Sequence, residues 1–170
     1  MSIGAKLKNA MKMNAVKEAD LAVDVHYSRQ AVSAWANGRR RVPGDVLPKL
    51  SNKFDDPDLF MEIGVLATDG VSLPPLDGDY IRQDTLAMID LVQKETQEAM
   101  DKLADAQLYK PPEHATERDK QTVRSINEEV LEAACSMVNL VRVNCHEYGL
   151  SYRATFQSLE VTLKARRMRK

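Results

Sequence analysis

Apolar residues recur three and four positions apart along almost the whole chain, and nowhere do β-branched residues alternate with polar ones. That spacing gathers hydrophobic side chains on one side of a helix, whereas a half-buried strand needs a period of two. Aromatic residues are only 5% of the 170, too few for the core of a sandwich or barrel. The expectation is an all-α protein.

The helical pattern divides the chain. Up to residue 67 the helices are short: Ile3, Leu7, Ala10 and Met11; then Val16 to Val23; then Ser28 to Asn37, closed by Gly38. A fourth is expected to start from Asp45 as its cap, with Pro48 in the first turn, where a missing amide proton costs nothing. Pro57 to Ala67 supplies a fifth. Residues 68–80, with two prolines, two glycines and no periodicity, read as a linker, although Leu73-Pro74-Pro75-Leu76 also has the form of an extended docking segment. Residues 81–170 then carry long amphipathic patterns. One runs from Ile81 to Ala106, a second from Val123 to Asn144 after the break at Pro111-Pro112, and a last one follows Ser151. The domain reading is therefore 1–67, a 68–80 linker and 81–170.

Net charge is only −1, but the charges are segregated. Residues 1–54 carry ten Lys and Arg against four Asp and Glu, residues 55–163 nine against twenty-one, and the last seven residues five basic side chains and no acid. A basic head on an acidic body points to a polyanion-binding module attached to something that avoids polyanions. The closing basic segment breaks this pattern, and nonspecific phosphate contacts, a clasp onto an acidic face and a plain solubility tail all fit it. No apolar run approaches the roughly 20 residues of a membrane span, and the first residues lack a secretory apolar region. A cytoplasmic setting is expected, with Cys135 and Cys145 reduced.

The segment that carries chemistry is 21–43. It reads as a helix, a turn and a second helix capped by Ser28. Val32 and Trp35 would pack on Leu21, Ala22 and Val25, leaving Arg29, Gln30 and Ser33 on the opposite side. Arg and Gln can make paired hydrogen bonds to guanine and adenine edges in the major groove. Arg39, Arg40 and Arg41 follow at once, suited to flanking phosphates, which fix position without reading sequence. Lys6, Lys8, Lys12 and Lys17 are candidates to extend the positive surface.

On Leu21-Ala22, Ser28-Arg29-Gln30-Ala31-Val32-Ser33, Trp35 and Asn37-Gly38, the chain resembles the Xre/Cro-like (lambda-repressor-like) helix-turn-helix family over about residues 3–66. The resemblance implies a five-helix DNA-binding domain, here followed by a C-terminal bundle of long amphipathic helices. It also implies a phage or mobile-element type of regulator. By position, Arg29, Gln30, Ser33 and Ala34 fall where members touch bases, and Ser28 and Gln30 where they reach the backbone. Lys17 stands where a phosphate-touching helix start is usual. Three departures stand out. His26 replaces a turn glycine whose backbone is often left-handed, Lys17-Glu18 replaces Thr-Gln at the start of the second helix, and Ala36 replaces a glutamate. Lysine still reaches a phosphate, while Glu18 would be repelled by one.

The three histidines share no metal-ligand spacing with one another or with the cysteines. There is no phosphate loop and no nucleophile motif. Neither an enzyme, a metal nor a cofactor is expected. A single small helix-turn-helix makes few contacts, so binding by a dimer on half-sites about one helical turn (~34 Å) apart is expected. Met88, Val92, Ala99, Leu103, Val130, Met137 and Leu140 are the expected dimerisation residues, on helices of about 28 residues each. Thr96 and Asn144 within those seams would set register. The reading is a homodimeric, sequence-specific transcriptional repressor on double-stranded DNA, with the C-terminal helices also open to a protein partner. The alternative is a protein-binding adaptor or antagonist of a replication or transcription factor. A third reading is an architectural replication or partition factor on repeated sites.

Overall fold

A computed structural model describes residues 2–108 and 110–170, and their regular structure is helical throughout. Five short helices form the head: α1 (Ile3–Met13), α2 (Glu18–Val25), α3 (Arg29–Ala36), α4 (Leu47–Lys53) and α5 (Pro57–Ala67). Two long helices, α6 (Thr85–Ala104) and α7 (Glu117–Glu147), pack as an antiparallel hairpin, and α8 (Tyr152–Ala165) follows. The all-α class read from the sequence is the class observed. Among the described residues no helix is long and apolar enough to cross a membrane.

Local chemistry sets most helix starts. The side-chain oxygens of Ser28, Asp56, Asp84 and Ser151 each accept a backbone N–H three residues on, satisfying one of the free donors that every helix start presents. Thr116 and Asp119 complete a reciprocal capping box at α7. The hydrogen bonds from Thr116 pull the Asp119 carboxyl down to about 2.

Two expectations about helix ends need correction. α4 is not capped by Asp45: Val46 occupies that position without a side-chain bond, because the Tyr27 hydroxyl donates to the Asp45 carboxylate instead, 3.2 Å from both oxygens. The first long helix has 20 residues, not about 28, because Asp84 caps it three residues after Ile81. The second has 31, starting at the capping box ahead of its first apolar residue.

The head buries Leu7, Leu21, Val25, Val32, Trp35, Leu50, Phe54 and Leu59 in one cluster. The hairpin closes over Met88, Ala99, Ile126, Ala133 and Val143. Its register is marked by Thr85, whose hydroxyl donates to Asn144 at 2.8 Å. The Thr96 hydroxyl is buried with no hydrogen-bond partner among the described residues, so of the two polar seam residues it is Asn144 that pins the pairing.

The segment read as a plain linker is a strap bonded on both sides. Leu76 N–H donates to Asn139 Oδ1 at 2.8 Å, and Asn139 Nδ2 donates to the Pro74 carbonyl at 3.0 Å. The Arg142 guanidinium donates to Asn139, Asp58 and Gln83 and reaches the Leu76 carbonyl. On the other side, Lys6 Nζ lies 2.9 Å from Glu62 and 3.0 Å from Asp77. Lys6 and Arg142 are 2% and 5% exposed, so each must keep its carboxylates: an unpaired buried charge is far costlier than the pair is stabilising. Asp58 and Glu62 lie one turn apart on α5. That helix therefore holds a cation from α7 and one from α1, and both clusters include the strap.

Arg142→Met should strand Asp58 and lower the free energy of unfolding by about 3–5 kcal/mol, read from the urea midpoint. The strap should become protease-sensitive before the head unfolds. An unchanged midpoint contradicts the clasp.

Candidate nucleic-acid interface

The turn between α2 and α3 requires a left-handed residue, and His26 supplies it at φ 60°, ψ 46°. Ser28 is extended and exposed and caps α3, its oxygen accepting Ala31 N–H at 3.2 Å. α3 then divides into two sides. Ala31, Val32, Trp35 and Ala36 are buried, while Arg29 and Gln30 are exposed and Ser33 and Ala34 half-buried on the other side. Burial of Val32 and Trp35 orients the helix, and its 3.6-residue period aligns the four others in one outward row.

Three contacts brace this arrangement. Tyr27 meets Trp35 edge-on at 5.0 Å between ring centres. Partial burial, then its hydrogen bond to Asp45, raises its phenol above the usual range, against the pull of Arg40. Gly4 of α1 lets that helix approach the end of α3: a Cβ there would collide with the Trp35 carbonyl oxygen. Gly38, at φ 67°, takes the left-handed turn after α3, so that Arg39 and Arg40 both donate their backbone N–H to Ala34 O. That turn sets the start of the arginine run beside the outward row.

The expected phosphate residues occupy this side. Arg39, Arg40 and Arg41 are exposed, and their side chains have no ion-pair partner among the described residues. Lys17 is exposed at the N-cap of α2, where it makes no side-chain cap bond. The head's other cations divide. Lys8 and Lys12 are exposed, but Lys6 is buried, which removes it from the expected positive surface. Lys49 donates to the Val25 carbonyl at 2.8 Å, a cation on the last turn of α2, and Lys53 lies 2.8 Å from Asp24. These three hold the head together.

Two residues belong to the site that the sequence did not assign to it. Asn37, read only as a helix stop, donates to Ser33 O at 2.8 Å and Ser33 Oγ at 3.4 Å, and accepts from Lys8 at 3.5 Å. Its place four residues after Ser33 was the available signal. Glu18 lies 3.6 Å from Arg29 Nε, a pairing between two helices that no local spacing announces.

The expected dimerisation residues separate. Met88 and Ala99 are buried inside the hairpin and are not available to a second copy, because a single chain closes that seam. Val92 and Leu140 are half-buried. Leu103, Val130 and Met137 are 47%, 41% and 42% exposed, and Met100 and Val123 join them. Leu76 of the strap lines a shallow cavity together with Leu91, Glu95, Glu132 and Ser136. Val123, Val130 and Met137 recur every seven residues on α7, about half a turn from Asn139, which bonds the strap.

Among the described residues no three His, Cys, Asp or Glu side chains converge as a metal site. Comparison with models of known protein families, with curated proteins and with solved structures finds no match, so the functional reading rests on this geometry.

Proposed function

We propose that the protein is a sequence-specific DNA-binding transcriptional regulator, a repressor of the Xre/Cro-like helix-turn-helix kind without catalytic activity. The supporting observation is one outward row on α3, Arg29, Gln30, Ser33 and Ala34, backed by a buried tryptophan and followed by three exposed arginines without an ion-pair partner among the described residues. Arg29 and Gln30 read base edges. Ser28, Lys17 and Arg39 to Arg41 grip phosphates. In this reading the acidic body is held off the duplex by charge, leaving the basic head as the DNA-facing surface.

The proposed active form is a homodimer on a two-fold-related operator. Leu103, Val130 and Met137, with Met100 and Val123, would meet their copies across the exposed side of the hairpin. The competing reading is a protein-binding adaptor, favoured by that same exposed row.

Arg29→Ala should lower discrimination between selected and unselected duplexes by about 1–3 kcal/mol in competition gel shifts. Arg40→Ala should weaken all duplexes alike and reduce the slope of log K against log salt by about 1. An Arg29→Ala protein that keeps full discrimination contradicts the readout role, and a parent protein that binds no duplex favours the adaptor. The Val130→Glu, Met137→Glu double variant should be a helical monomer by light scattering and circular dichroism, where the unsubstituted protein is a dimer. A monomeric parent protein contradicts the dimer.

A further inference from the structure

Among the described residues, Glu18 is the acidic residue that forms an ion pair with the outward row of α3. It opens α2, so its carboxylate stands at the positive end of that helix dipole, with Asp20 in the same first turn. Its side chain is 30% exposed, against 74% for Arg29 across from it. The pair therefore has a more enclosed member on the α2 terminus and an exposed member reaching into solvent.

The atoms in contact are Glu18 Oε2 and Arg29 Nε, at 3.6 Å. This is an ion-pair separation without a hydrogen bond, and in open water it adds little to stability. Its importance is directional. A guanidinium carries five N–H groups in a rigid planar fork, and a carboxylate at Nε engages its inner edge. On the outer edge, neither terminal nitrogen has a hydrogen-bond partner among the described residues. Two parallel donors of that fork match O6 and N7 of guanine. An arginine without such support samples many rotamers and must lose that freedom on binding.

We infer that Glu18 is a specificity-determining residue, orienting Arg29 from its Nε side so that the two terminal nitrogens meet a guanine edge. This rests on the DNA-binding reading. The same carboxylate repels the sugar-phosphate backbone, which lowers affinity for every duplex. Where a guanine is correctly placed, the oriented fork recovers that loss; elsewhere nothing does. Discrimination is thus sharpened from both directions, by an attractive element for the right site and a repulsive one for the rest. Glu18 touches no base and acts through Arg29.

The test uses the full-length protein, Glu18→Gln, Arg29→Lys and the double variant, each selecting from one pool of randomised duplexes at low salt, with the bound fractions sequenced. Glu18→Gln keeps the side chain's size on a surface position, and unchanged circular dichroism establishes that α2 remains folded. The expected result has two parts. Glu18→Gln retains more unselected duplex than the parent, and its preference for guanine at one position per half-site falls roughly fivefold or more, with the other positions unchanged. In the Arg29→Lys background, where no bidentate fork exists, Glu18→Gln leaves base preference at that position unaltered.

Equal guanine preference in the parent and Glu18→Gln overturns the inference while leaving the DNA-binding reading intact. So does an equal flattening of every position, which reports a structural role, and so does a parent selection with no guanine at the affected position. A parent protein that retains no duplex overturns the DNA-binding reading and this inference together.

Discussion

Two buried cations organise this molecule. Lys6 and Arg142 are among the few charged groups taken out of water, and each is tolerated only because carboxylates and carbonyls close around it. Their partners come from different parts of the chain: Glu62 and Asp77 for Lys6, Asp58, Gln83 and the Leu76 carbonyl for Arg142. To satisfy both, α5 must present Asp58 and Glu62 to opposite neighbours and the strap must thread between α1 and α7. The hydrophobic effect supplies the driving force for the two cores and also joins them, through Phe60 and Met61 of α5 against Val138, Val141 and Cys145 of α7 and Tyr152 of α8. The ion clusters are directional and add the register of that contact.

That placement reaches the candidate interface. Lys6 belongs to α1, two residues after Gly4, whose missing side chain admits the Trp35 carbonyl. α1 is thereby tied to α5 at one point and to the end of α3 close by. In the proposed dimer, the hairpins carry the pairing surface and the α3 helices carry the readout. A rigid connection between them sets the separation of two half-sites, which a flexible linker would leave undefined. Holding Arg29 by Glu18 extends the same logic to a single side chain: the geometry is arranged before the duplex arrives.

Much of the fold was legible because it is local. The caps at Ser28 and Ser151, the stop at Asn37-Gly38, the left-handed turn and the two-sided character of α3 all follow from residues within one helix turn of each other. What was not legible is what depends on distant partners. Asp45 reads as a cap until Tyr27, eighteen residues earlier, takes its carboxylate. Asn139 and Arg142 lie off the apolar stripe of α7 and look solvated, and nothing nearby in the sequence indicates that the strap and α5 will cover them. Lys6 counts as positive surface for the same reason. Met88 and Ala99 were read correctly as apolar seam positions, but periodicity does not say whether a seam is closed by the same chain or by another copy.

The central proposal is that the outward side of α3, flanked by Lys17 and by Arg39 to Arg41, meets the duplex, and that the hairpin and the C-terminal basic segment do not. The most direct measurement is backbone amide chemical-shift mapping of the full-length protein, titrated at low salt with a mixed-sequence duplex. Perturbations should concentrate at Lys17 to Glu18, Ser28 to Asn37 and Gly38 to Arg41, with the amides of α6 and α7 unmoved. Perturbations confined to the hairpin or to the basic segment from Lys164 to Lys170, or none at all, would contradict it.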